Sequence, residues 1–539
     1  MKILLNSLPS VEDCKIYIDF GNGYETFNLS EVKKTGIEIP KDCIDTSKIR
    51  FKADSSLIKN SVLYDNLYIT DEIDLKPDFE KSTVFPDCCF VGDYVIPDGV
   101  TEIGSYTFVG CLNLTSITIP SSVTSIGEGA FAYCSSLASV DIPSSVTEIG
   151  SYTFQNCYGL TNVTIQEGVT TIGYGAFSGC TSLTSITIPD GVTTIESCAF
   201  KSCRSLTSIT IPSSVTKIDD YAFQNCSNLT SIDIPSSVTK IDDYAFQNCS
   251  NLTSIDIPEG VTEIGRWAFQ NCSSLTNVTI PSSVTGIGEE AFRNCTSLTN
   301  VTIPSSVTEI GGEAFSGCSG LTSVTIQEGV TSIGSYTFSG CSSLTSITIP
   351  DSVTTIGYGA FDSCSKLTSI TIPDSVISIG SNAFHSCKSL TSITIPDSVT
   401  TIGDWAFRDC SNLTSIDIPE GVTEIGRWAF QNCSSLTNVT IPSSVTGIGE
   451  EAFSGCTSLT SIDIPEGVTY IYDGAFQNCT SLTNVTIPSS VTGIGEEAFS
   501  GCSGLRTINY TGTEKQWDAI SRNLELPSSC EIVYNFVNM

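Results

Sequence analysis

Histidine occurs once in 539 residues, methionine twice and tryptophan four times. With His385 as the single imidazole, a mixed His/Cys metal site cannot be built, and no Cys-x-x-Cys pair supplies an alternative. No glycine-rich phosphate loop and no paired nucleophile and base appear, so the chain is read as non-enzymatic, with no catalytic residue, metal or cofactor expected. Positive charge is also scarce. The 24 Lys and Arg face 58 Asp and Glu, a net charge of −34. That surface repels phosphate backbones, which excludes nucleic acid and anionic membrane as partners. No run approaches the roughly 20 apolar residues that cross a bilayer, so direct membrane insertion is not expected. The opening Met1-Lys2-Ile3-Leu4-Leu5-Asn6-Ser7 has three consecutive apolar residues, too few for the apolar core of a signal peptide.

Cysteine, by contrast, is abundant and regular. Nineteen of the 24 cysteines recur every 23 residues from Cys88 to Cys502. The turn that begins at Cys226 shows what travels with them: Leu229, Ile232, Ile234, Pro235, Val238, Ile241 and Phe246, before the next cysteine at Cys249. A fixed period of this length marks a solenoid, whose units bury their apolar faces only by stacking on one another. Residues 88–505 are therefore expected to form about 18 stacked units, with a core that grows along one axis. The in-phase cysteines hold one equivalent inward position and act as small hydrophobes, so a reduced, buried ladder is expected. Parallel side chains in neighbouring turns have poor disulfide geometry. Cys14, Cys43, Cys89, Cys198 and Cys530 fall out of phase.

Residues 1–87 lack the period. Segments such as Lys15–Phe20 and Val62–Ile69 alternate with a period of two and read as strands of a small β-rich domain or cap. An acidic stretch from Asp71 to Lys81 follows as a linker. Residues 506–539 break the pattern and carry Trp517, which is expected to pack on the last unit as a C-terminal cap. Within the array some units are copies: Ser254 to Phe292 recurs without change at Ser415 to Phe453, seven units on.

Two candidate surfaces follow from the pattern. In the strand Leu-x-x-Ile-x-Ile the side chains alternate across the sheet, so the residues flanking the first isoleucine point outward. These include Ser231 and Asp233, Ser254 and Asp256, Asn277 and Thr279, and Ser415 and Asp417. They make a field of small hydroxyls, amides and carboxylates suited to sugars or extended peptides, or equally to a soluble β-surface with no ligand. The residue two before each phenylalanine varies and is often aromatic, as at Trp267, Tyr336, Trp405 and Trp428. Those side chains serve either as exposed anchors for a partner or as packing for the neighbouring turn.

The unit Cys-x-x-Leu-Thr-Ser-Ile-Thr-Ile-Pro-x-Ser-Val-Thr-x-Ile-Gly-x-x-Ala-Phe resembles the BspA-like class of leucine-rich repeats. Leu344, Ile347, Ile349, Pro350, Val353, Ile356, Gly357, Ala360 and Phe361 carry the likeness. Tyr510-Thr511-Gly512-Thr513 with Gln516-Trp517 resembles the tail of such proteins. The resemblance covers residues 88–505 and implies a β-rich solenoid of leucine-rich repeats with a curved parallel sheet. It also implies surface adhesion and binding of host or matrix proteins. The chain departs from better-known leucine-rich repeats in lacking their asparagine ladder.

Three functions are weighed. The first is a binding solenoid of the adhesin kind, which recognises a protein or glycan on a cell surface through distributed contacts. The second is a structural appendage of a virus particle, docked to an assembly partner through residues 1–87 and displaying the repeats to a host surface. The third, an enzyme, has no motif to support it.

Overall fold

The computed structural model describes residues 92–522 and 524–536, together with the backbone of five short strands nearer the N-terminus. Cys14, Cys43, Cys88 and Cys89, the Val62–Ile69 segment and the Asp71–Lys81 stretch lie outside the described residues. The early strands pair antiparallel: Lys15–Asp19 with Tyr24–Asn28 and with Arg50–Ala53, and Lys2–Ile3 with Ile37–Glu38.

Two compact units follow, Met1–Leu252 and Thr253–Met539. Both are built from the same parallel turn, about 19 turns in all. A typical turn contributes one longer and one two-residue strand, although the turn before Thr401–Ile402 keeps only a bridge from Thr394 to Thr371 in place of the longer one. In the first unit the longer strands run from Gly92–Val95 to Ser231–Asp233, and in the second from Ser254–Asp256 to Glu531–Tyr534. The register is one repeat: Ser139 lies opposite Asn162, and Ser254 opposite Asn277. The short strands, such as Glu148–Ile149 beside Thr171–Ile172, stack in parallel too.

The apolar period explains the interior. Leu, both strand isoleucines, Val, the short-strand Ile, Phe and Cys are buried turn after turn, with Phe, Cys and Leu almost entirely removed from water. The phenylalanine rings stack nearly parallel, 5.1–5.5 Å apart in the first unit and 5.2–5.7 Å in the second. Proline normally ends the longer strand because it has no N–H for the ladder. Where Gln166 and Gln327 replace it, their N–H groups donate to Ile142 and Ile303 of the preceding turn, and Asn162–Ile165 and Ser323–Ile326 gain a residue over Ser231–Asp233.

The segment between the short strand and the cysteine is a third ladder made without strands. Tyr152, Phe154 and Asn156 each donate their N–H to the next turn, at Tyr174, Ala176 and Ser178. Tyr152 and Asn156 are left-handed, at φ 57°. That conformation at both ends aims alternate N–H groups along the stack.

The sheet extends past residue 505. Thr507–Tyr510 lies in register with Asn484–Ile487, and Glu531–Tyr534 adds one more strand. Between them the helix Glu514–Ile520 starts where Gln516 accepts a hydrogen bond from the Thr513 N–H, at 2.9 Å. Trp517 is buried from this helix with its ring 5.3 Å from Tyr510. Among the described residues no helix is long and apolar enough to cross a membrane.

Candidate binding surface

Ser231, Asp233, Ser254, Asp256, Asn277, Thr279, Ser415 and Asp417 are all exposed on the longer-strand sheet. Ser254 and Asp256 lie beside Asn277 and Thr279 on adjacent rungs of the second unit. Ser415 and Asp417 lie farther along that unit, and Asp417 accepts a hydrogen bond from Thr440 of the next turn at 3.0 Å.

Many other small hydroxyls are engaged within the fold. Thr276 and Thr437 donate to the carbonyls of Thr253 and Thr414, each at 3.1 Å. Ser283 and Ser444 donate to Val261 and Val422, each at 2.6 Å. Thr446 donates to Thr423 at 3.1 Å. Each bond joins a side chain to the backbone one turn back, so these residues fasten turns together. The hydroxyls bordering the strands are thus structural donors, a role that the alternation pattern does not reveal.

The aromatic column behaves differently from a set of free anchors. Trp267, Tyr336, Trp405 and Trp428 are each half-buried. All four have left-handed backbones, φ 54–58°. Trp405 and Trp428 stack at 4.8 Å with planes 3° apart, and Tyr336 meets Tyr358 edge-on at 5.1 Å. Their N–H groups donate to the next turn, as from Trp428 to Glu450 at 2.8 Å. A bulky residue with positive φ is strained, and here the axial hydrogen bond and the stacking offset that strain. A sequence signal for this existed: Gly129, Gly175, Gly359 and Gly474 occupy the same column.

The residue before each cysteine forms a second left-handed column. An asparagine ladder runs there, away from the position it holds in better-known leucine-rich repeats. Asn248 donates to Asn225 at 2.8 Å, and Asn294 to Asn271 at 3.0 Å.

The described cysteines carry reduced thiols. Each in-phase thiol from Cys134 onward whose bond is resolved donates to the carbonyl of a phenylalanine 26 residues earlier, as Cys433 does to Phe407 at 3.2 Å. Burial pushes the Cys157, Cys226, Cys410 and Cys456 thiols up to about 12. Cys198 is buried at a left-handed position and Cys530 is half-buried.

Two polar clusters were tested for chemistry. Asp219, Asp220 and Asp242 bring carboxylate oxygens within 4.8 Å of one another. Lys217 at 2.6 Å and Lys240 at 2.9 Å already balance buried Asp242, which does not suit a cation site. His385 has its Nδ1 2.7 Å from Asp362 and its Nε2 3.4 Å from both Asp409 and the Ser386 hydroxyl. This imitates a Ser/His/Asp arrangement, but a carboxylate faces each ring nitrogen. The hydrogen bond to Asp362 holds the imidazole above its ordinary range, against some desolvation, so it is stabilised as the cation. A general base needs Nε2 unprotonated and directed at the hydroxyl. The cluster does not provide that.

Parallel sheets over a buried Leu/Ile/Val column define a leucine-rich-repeat solenoid. The family described as BspA type leucine rich repeat region (6 copies) matches residues 80–206, 170–299, 285–414 and 403–519, and the chain belongs to it. Proteins built of such repeats are typically non-enzymatic and generally bind protein ligands. Among solved structures, a leucine-rich repeat protein from Bacteroides ovatus is 29% identical, over 87% of this chain and 99% of its own, with a TM-score of 0.36. A leucine rich cell surface protein from Faecalibacterium prausnitzii is 32% identical over 79% and 93%, with a TM-score of 0.30. A leucine-rich repeat protein from Eubacterium ventriosum is 26% identical over 59% and 82%, with a TM-score of 0.37. No curated protein matches the chain.

Proposed function

We propose that this chain is a non-enzymatic adhesion protein that holds a protein or glycan on a cell surface through weak contacts repeated along its turns. The observation that carries the reading is the register of the exposed pairs: Ser254 and Asp256 stand exposed beside exposed Asn277 and Thr279. Repetition of one small contact converts low affinity per turn into useful avidity. In this reading the chain works at a cell surface; docking to an assembly partner through residues 1–87 belongs to the alternative. A virus-particle appendage gains no support from the family match.

The test uses the internal copies. Removing residues 254–414 rejoins Thr253 to Ser415 without changing the sequence that follows, because Ser254 to Phe292 and Ser415 to Phe453 are identical. Attachment to cultured cells and to matrix-coated plates should fall greatly after this seven-unit deletion, and only slightly after deletion of the single unit 323–345. Abolition by the single-unit deletion would place the ligand at one local site and overturn the distributed mechanism.

A further inference from the structure

The turns share one backbone, so columns that differ from turn to turn are not set by packing. On the longer-strand sheet the outward pair is almost always Ser or Asn with Thr or Asp. The short strand and the turn after it vary far more. In the second unit the short strands open with Glu263, Gly286, Ser332, Thr401 and Tyr470, and the residue before the left-handed position is Arg266, Tyr358, Asp404 or Glu450. Charge of both signs, aromatic rings and glycine occupy equivalent places. A surface that discriminates between ligands needs such differences, and the uniform sheet lacks them.

These columns frame a groove of about 710 Å³ over the short strands Thr401–Ile402 and Glu424–Ile425. Its floor includes the backbone of Gly403, Gly426 and Gly449, and Tyr472 lines one end. Tyr472 stands where most turns have glycine; it is 44% exposed and its ring lies against Gly447, 4.7 Å from the ring of Tyr470. Arg427 is held in place, with its N–H donating to Asp404 at 2.8 Å, its Nε 3.8 Å from the same carboxylate, and its guanidinium 5.9 Å from the Trp428 ring. Glu424, which is exposed, and Glu450, which is half-buried, supply the remaining charge on the lining.

We propose that this groove determines the specificity of the chain and takes an extended peptide segment bearing a lysine or arginine; the proposal rests on the binding reading above. The charged groups offered are mainly acceptors, Asp404, Glu424 and Glu450 against Arg427 alone. Carboxylates only accept, whereas lysine and arginine only donate, so the two are complementary. The exposed Tyr472 ring gives the aliphatic stem and the cation a surface. Sugar hydroxyls call for donors as well, and the Thr400 hydroxyl on the lining is engaged with the carbonyl of Ile377. The net charge of −34 draws a basic partner toward the groove. The identical copy at Ser254 to Phe292 repeats Glu263, Arg266 and Glu289 but has Gly311 in place of the tyrosine.

The experiment measures binding of fluorescein-labelled deca-lysine to the full chain by fluorescence anisotropy, with deca-glutamate and chitotetraose as competitors. The double variant Glu424→Gln, Glu450→Gln should weaken binding by about tenfold or more, and the charge-matched Asp374→Asn, Asp397→Asn, at exposed turn positions outside the groove, by less than about twofold. Tyr472→Gly should also weaken it. Equal loss in both double variants, no loss in the groove variant, or displacement by chitotetraose would overturn the proposal. A second measurement needs no variant: carbodiimide coupling of deca-lysine to the unaltered chain should mark Glu424 or Glu450, and coupling spread over all exposed carboxylates would overturn it. Cell attachment measured alongside separates the two readings. A chain that attaches to cells without using the groove loses only this inference, whereas one that attaches to nothing loses the adhesion reading.

Discussion

The Cys226 thiol donates to the backbone carbonyl of Phe200 at 3.2 Å, one turn and three residues back. The cysteine is therefore both a small apolar filler and a donor that satisfies a carbonyl inside the stack. Serine at this position would meet an acceptor, though from a shorter side chain, and a hydroxyl is costlier than a thiol to remove from water.

Cys226→Ser should accordingly lower stability by about 1 kcal/mol, whereas Cys226→Leu should cost about 1–3 kcal/mol by overfilling a packed turn. Denaturant midpoints check this. In the native chain Cys226, Cys410 and Cys456, each held up near 12 by burial, should resist thiol reagents, while half-buried Cys530 reacts before them. Rapid native labelling of Cys410 would contradict the buried ladder.

The left-handed column before the cysteines makes a prediction that runs against ordinary helix and strand intuition. A Cβ on Gly317, at φ 71°, would lie 2.2 Å from Oδ1 of Asn294 in the preceding turn. Gly317→Ala should cost about 1–3 kcal/mol, from strain and collision together. Asn294→Gly, at φ 59°, loses a side-chain bond but relieves the backbone, and should stay within about 1 kcal/mol. Thermal melting of the two variants compares them directly; a milder effect for Gly317→Ala than for Asn294→Gly would be the wrong order.

His385 couples stability to pH. Asp362 and Asp409 face its ring nitrogens, and nearby Arg408 opposes them. Because the folded state raises the proton affinity, the stabilisation is complete below the ordinary value of 6.5 and fades as pH rises through the raised value. His385→Asn should therefore lower the melting temperature at about pH 5.5 and leave it nearly unchanged at about pH 9. A uniform loss at both values would point to packing instead of charge.

Asp242 is buried between two lysines that are each nearly half exposed. With the charge removed, both lysines can turn to water, so Asp242→Asn should cost no more than about 1 kcal/mol. The difference from the parent chain should shrink in about 1 M salt, where such pairs are screened. Salt titration of the melting temperature tests this.

The residues that face inward could be read directly from the chain. Leu229, Ile232, Ile234, Val238, Ile241, Phe246 and Cys249 recur at the same spacing in every turn, and side chains alternate across a strand, so period alone assigns them to the core. The outward positions Ser231 and Asp233 follow from the same alternation. Trp405 and Trp428 were visible as a variable aromatic column, and the glycines that share it signalled the left-handed backbone, but their stacking was not visible because it depends on the turn above. The thiol-to-carbonyl bonds, the asparagine ladder and the groove at Glu424, Glu450 and Tyr472 likewise arise between residues about a turn or more apart. Sequence spacing determined which face each residue takes, and only the stacked backbone decided what it meets there.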